Sequence, residues 1–234
     1  MKVLFVHTSI SSCGFKSLGI GDEGSWINHG FCSISAYAKS RGRHIELLDM
    51  RKLSGWGEFT DEIRLRKPDV VGLNMMTVDF DYAMKCARIV KELDPKARVV
   101  VGGPHPTLAT EEVAAEQNVD HIIVGEGEIT FVELLGKLER GESPERVLIG
   151  VKPELDSLPF VDRDLYAVQE QPIEKCCPPP FATLIAGRGC AYNCSFCQPA
   201  EKIIFGHKVR RRSVDNVINE LKILRDKYKM KSFL

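Results

Sequence analysis

The chain has 234 residues, 44% of them hydrophobic, with 32 Lys plus Arg balanced by 32 Asp plus Glu. That length holds one large domain or one domain and part of another. The neutral balance supplies no global field to draw in nucleic acid or an anionic membrane, and no run of about eighteen uncharged apolar residues reads as a membrane span. Met1 to His7 is too short for the apolar stretch and cleavage site of a secretory signal, so a cytoplasmic location is expected. The eight cysteines then point to metal or chemistry rather than to disulfides.

In chain order, Lys2 to His7 predicts a short apolar strand, Trp26 to Arg41 a helix, and His44 to Asp49 a second strand. Asp61 to Arg66 predicts a short helix and Asp69 to Leu73 a buried strand. From Tyr82 to Leu93, apolar residues at Ala83, Cys86, Ala87, Val90 and Leu93 follow the period of one helix face. Arg98 to Val101 is a β-branched strand running into Gly102-Gly103-Pro104. A helix over Glu111 to Gln117, a strand over His121 to Val124 and a helix over Ile129 to Glu139 complete the series. Strands alternating with helices in this way predict an α/β fold, a doubly wound five-stranded parallel sheet.

Sheets of this kind bind ligands outside the carboxyl ends of their strands, and polar or glycine residues collect at those ends here. Thr8 and Ser9 follow the first strand, and Asn74 and Thr77 the third. Gly102, Gly103, Pro104, His105 and Thr107 follow the fourth, and Gly125, Glu126, Gly127 and Glu128 the fifth. There is no GxGxxG after the first strand and no GxxxxGK[ST] anywhere, which removes the main support for dinucleotide and P-loop readings. Gly102 and Gly103 carry no Cβ, so backbone can approach a flat ligand closely. Taken alone, Gly-Gly-Pro could equally make the turn between strand and helix.

From about Gly150 to Pro180 the composition shifts, with Pro153, Pro159, Pro172 and Pro178-Pro179-Pro180 favouring extended backbone. The expected organisation is 1–150, an α/β ligand domain; 151–180, a Pro-rich linker; and 181–234, a further unit. Phe181 to Ala186 reads as a buried strand opening through Gly187-Arg188-Gly189 into Cys190-Ala191-Tyr192-Asn193-Cys194-Ser195-Phe196-Cys197. Three thiolates from so short a loop suit a 4Fe-4S cluster with one iron open to an outside ligand. Zinc is the alternative, with His207 as a fourth ligand, but no second compact two-ligand hook accompanies it. Lys208 to Arg212 lacks interleaved aromatics, so it reads as a solvated face or as an arginine near a cofactor carboxylate rather than a nucleic-acid patch. Ser213 then caps a helix whose apolar face is Val214, Val217, Ile218, Leu221 and Leu224, and Met230 to Leu234 opens another apolar run. Cys86, on a helix stripe, is expected to pack, and Cys13, Cys32, Cys176 and Cys177 receive no special role.

The cysteine spacing, with Phe196 before the third cysteine, resembles the radical S-adenosylmethionine (radical SAM) superfamily. Val99 to Thr107 followed by Val124 to Glu128 resembles the cobalamin-binding domain that precedes the radical SAM domain in one large subgroup, and Leu158 to Tyr166 resembles that subgroup's bridging segment. The resemblance implies a 4Fe-4S cluster on Cys190, Cys194 and Cys197, S-adenosylmethionine beside Phe196, and cobalamin on the strand-end residues named above. It also implies a radical methyl transfer or ring modification at an unactivated carbon of a small-molecule or peptide substrate, fed by an electron donor such as flavodoxin or ferredoxin. No DxHxxG is present, so a cobalt-ligand role is not carried to His105. A full barrel takes about 250 residues, so 181–234 is expected to be only the first βαβ portion of a partial TIM barrel, truncated. The alternatives are a non-catalytic cobalamin-binding module with a cluster-binding tail and a zinc-binding structural protein.

Overall fold

The structure, a computed structural model, describes residues 1–8, 14–15, 27–166, 180–192, 194 and 200–234. A parallel sheet has the order β2-β1-β3-β4-β5-β6, formed by β1 (Val3–His7), β2 (Ile45–Asp49), β3 (Val70–Asn74), β4 (Arg98–Gly102), β5 (His121–Val124) and β6 (Val147–Ile149). The helices between them are α1 (His29–Ser40), α2 (Trp56–Arg66), α3 (Phe80–Leu93), the short α4 (Pro104–Leu108) and α5 (Thr110–Ala114), and α6 (Glu128–Glu139). Successive side chains of a strand point to opposite faces, and the buried residues sort accordingly. Leu4, Val6, Val71, Leu73, Val99 and Val101 join Phe59, Ile63, Cys86 and Val90 of α2 and α3. Val3, Phe5, Ile45, Val70 and Val100 join Phe31 and Ala38 of α1 and Phe131, Leu134 and Leu135 of α6. The sheet is therefore covered on both faces, as parallel sheets require.

The expected doubly wound parallel sheet is present, with a correction in strand number. β6 adds a sixth strand, pairing Ile122 with Val147 and Val124 with Ile149. Three residues, Val147 and Leu148 half-buried and Ile149 exposed, are too few to show a period; the open edge of β5 recruits them, and Gly150 N donates to Val124 O at 2.7 Å. α2 begins at Trp56 rather than Asp61, because buried Phe59 and Ile63, four residues apart, outweigh the weak helix propensity of Gly57. Pro104–Leu108 is helical although the expected helix started only at Glu111, and that helix runs over Thr110–Ala114; proline suits the first helical position, where its missing N–H costs nothing. α1 starts at His29, with the Asn28 side chain accepting from Phe31 N, and Trp26, its expected first residue, lies outside the described residues.

Beyond the sheet, one-turn 3₁₀ helices at Leu155–Ser157 and Arg163–Tyr166 interrupt the extended segment. The expected strand-helix-strand unit follows, with a first strand shorter than Phe181 to Ala186 because Ile185 and Ala186 are exposed: β7 (Phe181–Ala182) pairs in parallel with β10 (Ser232–Phe233), with α8 (Val214–Asp226) between them. Ala182, Leu224 and Met230 form its small core, and Ser213 Oγ accepts from Asn216 N as the helix cap. β8 (Gly187–Arg188) and β9 (Arg210–Arg211) make an antiparallel ribbon, and α7 (Ala200–Phe205) precedes β9. Among the described residues, no helix is long and apolar enough to cross a membrane.

Candidate functional site

In the order 2-1-3 the chain turns to opposite sides of β1, and such a switch point leaves a crevice at the strand carboxyl ends. A cavity of about 970 Å³ occupies it, at the upper end of the size expected of small-molecule sites. Its depth comes from one residue. Gly72 of β3 is paired with Phe5 of β1, and a Cβ there would lie 2.6 Å from the Phe5 ring. Phe5 can therefore stack on Phe31 at 4.3 Å between ring centroids and lie 5.2 Å from Phe131, and the cavity descends to these residues and Val100.

The rim carries most of the strand-end residues. Asn74, Thr77, Gly102, Gly103, Pro104, Gly125, Glu126, Gly127 and Glu128 all line the cavity. Gly103 has φ +104°, and a Cβ would come 2.1 Å from Asn74 Oδ1, so glycine is required there. Three other residues lie behind this wall. Thr8 donates from Oγ1 to Asn74 O at 2.9 Å. Thr107 donates to Gly103 O at 2.9 Å and accepts from Gly125 N at 2.9 Å, tying the β4 and β5 loops together. His105 is buried against Phe80, with Nδ1 3.3 Å from Thr77 Oγ1. Ser9, Phe196 and Cys197 lie outside the described residues, as do Cys13, Cys176 and Cys177.

The roof is held by ions that no sequence period announces. Arg188, two residues before Cys190, donates from Nη1 to Glu126 Oε2 and from Nη2 to Glu128 Oε1, each at 2.5 Å. Arg210 donates to Glu126 Oε1 and, at 2.9 Å, to Pro153 O. Ser33 Oγ of α1 donates to Glu128 Oε1 at 2.8 Å. A second buried group joins Arg163 to Glu220 at 3.1 Å and Arg212 to Glu220 at 2.5 Å, and Arg163 also donates to Thr183 O at 2.6 Å. Arg210 and Arg212 are thus pinned to carboxylates of the chain itself, while Lys208 and Arg211 are exposed. The sequence signals were the doubled Gly-Glu of 125–128 and the Arg between two glycines before the first cysteine, but nothing local pairs them.

Two histidines join the sheet half to what lies above it. His7 Nδ1 is 2.9 Å from Tyr166 Oη, and His29 Nε2, on the cavity wall, is 2.8 Å from Thr183 Oγ1. Burial, then Arg51, pushes His7 down to about 4 against an opposing pull from Asp49. Burial, then Arg163, does the same to His29, against Glu220. Both are neutral at physiological pH. Burial pushes the Cys32 and Cys86 thiols up, so they stay protonated, and Cys86 packs in the core beside Met50 Sδ at 3.3 Å. Cys190 is half-buried and Cys194 exposed, and neither is in a disulfide.

A doubly wound parallel sheet with a deep, glycine-rimmed cavity at its strand ends defines an α/β ligand-binding protein. The B12 binding domain model matches residues 17–135, and the chain belongs to that family. It is 32% identical over 208 residues to an uncharacterised methyltransferase of Pyrococcus horikoshii, covering 78% of this chain and 44% of that protein. It is also 32% identical over 149 residues to the cobalamin-dependent radical SAM methyltransferase TokK of Streptomyces tokunonensis, covering 56% of this chain and 22% of that one. The chain thus spans less than half the length of these relatives. The structure of the cobalamin-dependent S-adenosylmethionine radical enzyme OxsB, with aqua-cobalamin and S-adenosylmethionine bound, superposes with a TM-score of 0.71. That match has 19% identity and covers 98% of this chain and 32% of that one, a likeness of fold. These relatives are those expected from the resemblance.

The residues present suit cobalamin. The cavity is large and mostly apolar, and Gly102, Gly103, Gly125 and Gly127 bring bare backbone to its rim. A thiol set suited to iron starts at Cys190, directly after rim residue Gly189. Among the described residues no three His, Cys, Asp or Glu gather as a metal site; the third cysteine of the set lies outside them.

Proposed function

We propose that the chain binds cobalamin in this cavity and a 4Fe-4S cluster on Cys190, Cys194 and Cys197. It then serves a radical SAM enzyme that transfers a methyl group to, or modifies a ring at, an unactivated carbon. The observation that carries this reading is that Gly187, Arg188 and Gly189 line the cavity, so the cysteine loop leaves from the rim of the B12-binding site. The bound groups would supply a hydrogen-abstracting radical and, for methyl transfer, the methyl donor. The chain's own residues would bind and orient. Three thiolates would leave one iron open to S-adenosylmethionine beside Phe196, the strand-end glycines would admit the corrin edge, and the wall of Phe5, Phe31 and Phe131 would exclude water.

On the same reading, 1–150 is the cobalamin domain, 151–180 the bridge and 181–234 the opening βαβ portion of the radical SAM domain. The substrate is a small molecule or peptide, the electron donor is of flavodoxin or ferredoxin type, and the setting is the reducing cytoplasm. The test is anaerobic reconstitution with iron and sulfide, followed by EPR with and without S-adenosylmethionine and a visible titration with hydroxocobalamin. A 4Fe-4S signal that responds to S-adenosylmethionine and is lost in Cys194→Ala is expected, with a shifted cobalamin spectrum. No iron signal, or one indifferent to Cys194→Ala, would overturn the cluster assignment; cobalamin uptake without iron would leave a binding module.

A further inference from the structure

We infer that the ion cluster of Glu126, Glu128, Arg188 and Arg210 couples occupancy of the cavity to metal occupancy of the cysteine loop, with Arg188 as the positioning residue. This rests on the cofactor assignment proposed above. Arg188 and Arg210 are direct cross-strand partners in a ribbon of only two residue pairs. Like charges directly opposite destabilise such a pairing, and an isolated two-stranded ribbon is marginal in water. The ribbon is held from outside: Glu126 accepts from both arginines and Glu128 from Arg188. These carboxylates are 1% and 3% exposed, so they find little alternative partner in solvent.

The same two glutamates line the cavity, and the loop that carries them is closely packed. A Cβ on Gly150 would meet Glu126 O at 2.1 Å, and Gly125 has φ +89°. On the other side of the cluster, Gly189 at φ +94° sits so close to Lys208 O that a Cβ would approach to 2.8 Å. The path from cavity wall to Cys190 is therefore short and closely packed. A group seated in the cavity restrains Glu126 and Glu128, these restrain Arg188, and the first cysteine is held two residues on. Linkage makes the effect on the two affinities reciprocal.

The test uses protein reconstituted anaerobically with iron and sulfide. Two quantities are read: the rate of iron loss to a chelator with and without saturating hydroxocobalamin, and the hydroxocobalamin Kd with and without the cluster. In the wild type, the cluster is expected to tighten hydroxocobalamin by about fivefold or more, the lower end of ordinary coupling, and hydroxocobalamin to slow iron loss measurably. In Arg188→Met both ligands should still bind while both factors fall to about one. Arg188→Lys keeps the charge without the two-pronged geometry and should fall between, and Arg64→Met, from an exposed pair with Asp61, should keep the full factors. If Arg188→Met does not fold, the isosteric Glu128→Gln decides, with a reduced factor expected. Unchanged factors in these variants, or a wild-type factor of one with both ligands bound, overturn the coupling and leave the proposed function standing. A wild type that takes up neither ligand overturns both.

Discussion

At the sheet end of the cavity, Phe5 fits over Gly72 and stacks between Phe31 and Phe131. At the ribbon end, Arg188 and Arg210 reach from residues late in the chain to Glu126 and Glu128, with separations of 60 to 84 positions. The floor is held by non-directional apolar burial, which tolerates exchange of one hydrophobe for another of similar volume. The roof is held by a few directional, charge-assisted bonds, each of which fails if one partner is removed. A site built this way has a permanent floor and a roof whose position depends on specific ions.

Four measurements would break or sharpen that contrast. Acid should give the largest effect, because two of the joints between the sheet half and what lies above it are the neutral histidines His7 and His29. Both lie near 4 in the fold and 6.5 in the unfolded chain, so the unfolded chain takes up protons first as the pH falls. The contribution of these two histidines to stability is therefore constant above about pH 6.5 and lost between 6.5 and 4, at roughly 1.4 kcal/mol per pH unit per histidine. Urea melts at pH 7 and pH 5 should differ by about 4 kcal/mol, and His29→Gln should remove about half of the difference. Next, Glu126→Ala should cost about 3 kcal/mol, at the lower end for breaking a buried pair because Arg188 and Arg210 keep some contact with water. Amide hydrogen exchange should then rise at Gly187 to Cys190 and stay unchanged in β1 and β3, which checks that the loss is local to the roof.

Smaller effects test the floor and the unit behind it. Gly103→Ala places a Cβ against Asn74 Oδ1 at positive φ and should cost about 2 kcal/mol, with a weaker hydroxocobalamin spectral titration. Ser213→Ala removes the cap of α8 and should lower thermal stability by about 1 kcal/mol, leaving the cobalamin titration where it was. If that variant also weakened cobalamin, the floor would not be independent of the unit behind the roof.

Much of the fold was legible because its signals are local. β5 falls on His121–Val124 as expected, and the α3 stripe of Ala83, Cys86, Ala87 and Val90 is buried against the sheet. β6 was not, since three residues become a strand only when β5 offers an edge. The short α4 was obscured by the prolines that start it. For the site, the strand-end glycines and Asn74 were readable from position alone, because ligand crevices of such sheets open there. Thr8, His105 and Thr107 sit at the same ends yet turn into the protein to bond neighbouring loops or, for His105, to approach Thr77. Arg163, Arg188, Arg210 and Glu220 stood in plain view as charges and carried no sign of burial.

By itself the sequence determined the alternation of strands and helices, the helix cap at Ser213, the glycine-rich strand ends and the spacing of the cysteines. These depend on residues within a few positions of one another, where backbone geometry imposes the pattern. Only the tertiary structure decided which strand-end side chains face the cavity, that Gly72 deepens it, and that Glu126 and Glu128 hold Arg188 and Arg210. A charge far along the chain has no preferred partner until the packed sheet brings one within hydrogen-bond distance and takes the water away.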